Sequence, residues 1–80
     1  MAGRMKIPDE INALTKTQLL NVIDESALTE EDRVIAQRVL LDHWAQIDIA
    51  AEIGYDRSVV SRRTKHIFER LAYIATLLYK

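Results

Sequence analysis

Ile49-Ala50-Ala51-Glu52-Ile53-Gly54-Tyr55-Asp56-Arg57-Ser58-Val59-Val60-Ser61-Arg62-Arg63 is the stretch that decides the fold. An apolar helical pattern stops at Gly54 and a basic one begins beyond Asp56. Ala50 stands four residues before the glycine and Val60 six after it. A small residue where two helices touch, a glycine in the turn and an apolar anchor on the second helix are the residue logic of a helix-turn-helix. The spacing predicts a first helix over about 46–53, a turn at 54–56 and a second helix from 57 onward.

Outward from that stretch the pattern stays helical. Two glycines and one proline interrupt eighty residues, and no segment alternates with period two long enough to suggest a sheet. The expectation is an all-α, compact domain of four or five helices. Pro8 can occupy the first turn of a short helix over Asp9 to Leu14, and a second helix is predicted from Thr17 to about Asp24, with Leu19, Leu20, Val22 and Ile23 apolar. Thr29-Glu30-Glu31-Asp32 then places a hydroxyl N-cap ahead of three acids, which favour a helix N-terminus. From that cap the stripe Val34, Ile35, Val39, Leu40, Leu41 is read as running to His43 or Trp44, with Trp44 in the core. Asp56 is read as the cap of the last helix. That helix continues to Leu78 with Val60, Ile67, Leu71, Ile74 and Leu78 inward, Phe68 and Ala75 flanking them.

Length allows one domain, residues 1–80, with a modest core; such chains bury roughly 60 to 65% of their unfolded surface. With no cysteine there is neither a disulfide nor a thiolate metal site. No apolar run approaches the roughly 20 residues needed to span a bilayer, and Met1 to Lys6 lack the apolar core of a secretory signal. The expected compartment is the cytoplasm.

Net charge is −1, which argues against a non-specific nucleic-acid coat. Its distribution says more. Residues 1–55 carry five Lys/Arg against ten Asp/Glu, a net of −5, whereas residues 56–80 carry six against two, a net of +4. A basic half beside an acidic one points to nucleic-acid contact by the basic part. Taking Val60 as inward, Ser58, Ser61, Arg62 and Lys65 project the other way, with Arg63 and His66 on one flank. The candidate DNA-binding residues are therefore Arg57, Ser58, Ser61, Arg62, Arg63 and Lys65. Arginine can bond two guanine acceptors at once, so Arg62 is the first choice for base readout; Arg57, Arg63 and Lys65 equally suit phosphates.

The residues Leu28-Thr29-Glu30-Glu31-Asp32-Arg33-Val34-Ile35, followed by an apolar helix, Ile49-Ala50-Ala51-Glu52-Ile53-Gly54 and Val60-Ser61-Arg62-Arg63, resemble region 4 of sigma-70-type factors. They are similar, nearly as well, to the helix-turn-helix of response-regulator output domains. The resemblance covers about residues 28–71, leaving 72–80 as a C-terminal extension of the last helix. It implies a DNA-binding tetrahelical domain whose last helix reads the major groove. Asp48 stands where that pattern has glutamate, and Thr64 where it more often has an apolar residue. A sigma region 2 does not fit in eighty residues. A chain complete at this length is expected to be a stand-alone regulator of transcription, of phage or mobile-element type.

Nothing in the sequence points to an enzyme. No serine has a nucleophile elbow, no glycine loop cradles a phosphate, and Glu30-Glu31 read as helix-start charges. His43 and His66 lack partners at ligand spacing, so neither a metal nor a cofactor is expected. Two partners stay open: double-stranded DNA, or a protein such as RNA polymerase or a host factor docked as by a phage-type inhibitor. For Ala72 to Tyr79 two roles stay open as well. The segment can close the domain over the first helices, or it can pair two copies as a homodimer through Tyr73, Leu77 and Tyr79.

Overall fold

The computed structural model describes residues 7–79. Arg4, Lys6 and Lys80, which enter the charge count, and the start of the chain lie outside the described residues. Five helices and no strand make up the described part: α1 Asp9–Asn12, α2 Lys16–Glu25, α3 Glu30–Leu40, α4 Gln46–Ile53 and α5 Arg57–Tyr79. The all-α expectation holds.

Each helix start has a local cause. Pro8 sits at the N-cap of α1, one position before the expected first turn, and its carbonyl accepts from Ile11 and Asn12 at 3.0 and 2.9 Å. α2 begins earlier than Thr17. Thr15 accepts from the Gln18 amide at 3.1 Å while the Gln18 side chain accepts from the Thr15 amide at 3.0 Å, a reciprocal capping box that satisfies two orphan donors. Thr29 caps α3 as expected, accepting from Asp32 at 3.2 Å.

The end of α3 departs from expectation. The helix stops at Leu40, short of His43 and Trp44. His43 adopts a left-handed φ of +58°, and the Trp44 amide turns back to the Arg38 carbonyl at 2.8 Å. Histidine is among the few non-glycine residues that tolerate this conformation. α2 ends similarly: Ala27 has φ +53°, just past the buried Ser26, whose hydroxyl donates to the Val22 carbonyl at 2.7 Å.

All five helices supply the core. Ile11, Val22, Ile23, Ile35, Leu40, Ile49, Val60, Ile67, Phe68 and Leu71 are among its buried side chains. The last helix is its axis. At 23 residues it is about 34 Å long by its rise per residue, matching the molecule's longest dimension of 34 Å, and it packs against each of the other four. Its buried stripe is Val60, Thr64, Ile67, Leu71, Ala75, with steps of four, three, four and four. Thr64 departs from the apolar pattern in sequence, yet it is fully buried at 0% exposure and donates to the Val60 carbonyl at 2.7 Å, so its hydroxyl is satisfied within the helix. Leu78 and Leu20, read as inward, are exposed instead. The last turn of α5 has run past the core, and Leu20 lies off the Leu19–Val22–Ile23 face. Trp44 is likewise outside the core, 38% exposed, because α3 ends before it.

The C-terminal extension does close the domain in part. Ala75 is buried, Ala72 and Ile74 pack against the core, and the Asn21 amide donates to the Tyr79 hydroxyl at 2.9 Å. Tyr73 and Leu77 remain exposed.

Candidate nucleic-acid interface

α4 and α5 are joined by residues 54–56. α4 ends because Gly54 takes φ +80° and ψ 23°, and both its amide and that of Tyr55 donate to the Ala50 carbonyl, at 2.9 and 3.1 Å. A side chain at position 54 would meet nothing within 4 Å, so the demand for glycine is conformational rather than steric. Val59 and Val60 donate to the Asp56 carbonyl at 3.0 and 3.2 Å, which starts α5. The expected side-chain cap is absent: among the described residues the Asp56 carboxylate accepts no hydrogen bond, being exposed to water, and contributes only its charge to the helix start.

The buried stripe fixes how α5 is rotated, and this decides what its first turns show to solvent. Arg57, Ser58, Arg62 and Lys65 are exposed, while Ser61 and Arg63 are half-buried. Among the described residues Arg57, Arg62 and Lys65 have no carboxylate partner within ion-pair distance. Arg62 and Lys65 face water on the side opposite Val60 and Thr64, and Arg57 is exposed at the start of the helix.

Arg63 is placed differently. Its Nη1 donates to Glu31 at 2.5 Å, its Nε lies 3.6 Å from Asp32, and its guanidinium sits 5.4 Å from the centre of the Tyr55 ring. The side chain braces the start of α5 against the N-terminus of α3. Its pairing with Glu31 holds the Arg63 guanidinium above its usual range and draws the Glu31 carboxyl below its ordinary value. Of the six residues expected on the reading face, the fold engages this one in its own structure. Asp32 Oδ1 is buried with no hydrogen bond, so the Arg63 charge is its compensation.

A second brace joins α3 to α4. Arg38 grips Glu52 with two nitrogens, at 2.9 and 3.2 Å, donates to Asp42 at 2.8 Å, and lies 4.7 Å from the Trp44 ring centre. Glu52 first, then Asp42, hold its guanidinium firmly protonated. The sequence reading missed this cluster. Arg38 and Asp42 stand at the i,i+4 spacing of a helical ion pair, but Glu52 comes from another helix and carries no local signal. Arg33 pairs with Asp24, tying α3 to α2, and Arg70 Nε donates to the Ser26 carbonyl at 3.1 Å, tying α5 to the end of α2.

The result is a frame in which α3 carries the acids and arginines that lock α4 and α5 in place. The solvent side of early α5 presents three unpaired cations and Ser58. Such a row can hold phosphates through charge and offer bidentate donors to base edges. Compared with protein-family models, curated proteins and solved structures, the chain matches no family, no protein and no structure.

Proposed function

We propose that α4, residues 54–56 and α5 form a helix-turn-helix and that the chain is a DNA-binding regulator of transcription. The first turns of α5 enter the major groove, which is wide enough for one helix. One observation carries this reading: Ser58, Arg62 and Lys65 stand exposed together on the face of α5 opposite its buried anchor residues, with Arg57 exposed at the first position of the helix. Arg62 reads a base, and Arg57 and Lys65 hold phosphates. Ser61, half-buried, contributes at the edge of the contact, and Arg63 fixes the attitude of the helix. The compartment is the cytoplasm and the mode of action is binding, in the manner of small phage or mobile-element regulators resembling sigma region 4.

Anisotropy titrations with random and genomic duplex fragments at graded salt test the reading. Two phosphate-neutralising cations per copy give a log–log salt slope of about −2, and twice that for a pair of copies. Salt-independent binding, or none, removes it. Tyr73 and Leu77, 61% and 62% exposed, suit a homodimer through α5 that sets two reading helices about 34 Å apart.

A protein-binding module on the same scaffold, docking on RNA polymerase or a host factor, is the second reading. It is favoured by the net −5 of residues 1–55. Capture of a partner from bacterial lysate that survives nuclease supports it; loss on nuclease treatment supports DNA.

A further inference from the structure

The solvent side of α4 is unlike that of α5. Ile47 and Ala51, four residues apart, fall along one side of the helix, and Trp44, two residues before its start, lines a groove with Ala51; all three are exposed. Ile47 is 61% exposed, high for an isoleucine with no partner. Trp44, Asp48, Ala51 and Glu52 line an open groove of about 570 Å³. Three carboxylates rim this surface, Asp42, Asp48 and Glu52, against one guanidinium, Arg38. That guanidinium already holds Asp42 and Glu52 and lies against the Trp44 ring, so much of the rim is ordered before anything binds. Pre-ordered groups lose little side-chain entropy on association.

We propose that this face of α4 docks an amphipathic segment of another protein, one whose apolar side chains at helical spacing are flanked by Lys or Arg. Charge complementarity selects that occupant. Apolar anchors fill the groove between Trp44 and Ala51 and cover Ile47, while the segment's cations meet Asp48 and the Asp42 oxygen that Arg38 leaves free. Nucleic acid does not fit, since its phosphates would face three carboxylates. Two copies of this chain related by a two-fold axis do not fit either, because such a contact sets each surface against itself and opposes like charges. The exposed start of α5 in another copy carries cations but lacks the apolar anchors.

The chain's single tryptophan is Trp44, so its emission reports directly on the groove. The full-length protein is titrated with two designed helical peptides of the same pattern, one of Leu and Lys, the other of Leu and Glu. The Leu/Lys peptide is expected to shift Trp44 emission to the blue and saturate, and the Leu/Glu peptide to leave it unchanged. Ile47→Glu and Asp48→Lys, both at exposed positions, are each expected to weaken the Leu/Lys peptide by about tenfold or more, as loss of a central anchor or a reversed charge does. Glu25→Gln, exposed at the end of α2, leaves binding intact. No DNA is present, so the outcome is independent of the regulator reading. Equal response to both peptides, wild-type affinity in the Ile47 and Asp48 variants, or an emission shift produced by raising protein concentration alone would overturn the proposal.

Discussion

The outward faces of α4 and of early α5 lie on either side of a three-residue turn, and their chemistry is opposite. α4 shows Ile47 and Ala51 among Asp48 and Glu52; α5 shows Arg57, Ser58, Arg62 and Lys65 with no large apolar side chain exposed among residues 57–66. A net charge of −1 hides this division. Each helix also sends one charged side chain to α3. Glu52 goes to Arg38, and Arg63 goes to Glu31 and Asp32. With those pairs satisfied inside the frame, the free charge left outside is acidic on α4 and basic on α5. One fold thereby carries two surfaces of opposite charge.

The largest test abolishes both surfaces together. Leu71 is fully buried on the axis helix, and Leu71→Ala is expected to cost about 2–5 kcal/mol in urea unfolding. A loss under about 1 kcal/mol would mean that α5 is not the shared support. Next, Arg62→Ala separates the faces. It should lower DNA affinity by about 1–3 kcal/mol, while Arg63→Ala, one residue further, lowers it less and acts on stability. Equal losses in DNA titrations would place both arginines on the nucleic acid and remove the distinction drawn between them.

Gly54→Ala tests the joint itself. With open space around the position, only the left-handed backbone resists a side chain, so a thermal melt should register a loss of about 1 kcal/mol. An unchanged melting temperature would show that the turn does not need glycine. The smallest effect concerns the brace. Beside Arg63 the Glu31 carboxyl is held below its ordinary 4.5. A carboxyl lowered by folding stabilises the fold above its unfolded pKa, and that contribution is lost as pH falls through the folded value. Glu31→Gln should therefore melt slightly below the wild type at neutral pH, with the two Tm curves converging on acidification below 4.5. Curves that stay parallel through that range would detach Glu31 from Arg63.

Local signals were legible where they are self-contained. The Thr29 cap with its three acids, the span Gln46–Ile53, the stop at Gly54 and the start of α5 all follow from neighbouring residues. The Thr15–Gln18 capping box was equally local and went unread, although the Thr-Lys-Thr-Gln spacing announces it. The end of α3 was not legible, because no glycine or proline marks it; His43 supplies the left-handed turn, which the sequence does not distinguish from a helical histidine. Thr64 misled in the other direction, since a hydroxyl satisfied by its own helix packs in a core as an apolar residue does.

By itself, the sequence determined the helices, the turn and the segregation of charge, because caps, left-handed glycine and the 3.6-residue repeat act over a few residues. It also named the six candidate residues on early α5. Which of them are free was decided only by tertiary structure. Arg62 and Arg63 are adjacent and chemically identical, yet one points to water and the other to carboxylates 31 and 32 positions away. Helical periodicity gives each side chain a direction around its own axis; whether that direction ends in solvent, in the core or at a partner depends on where the neighbouring helix has been packed.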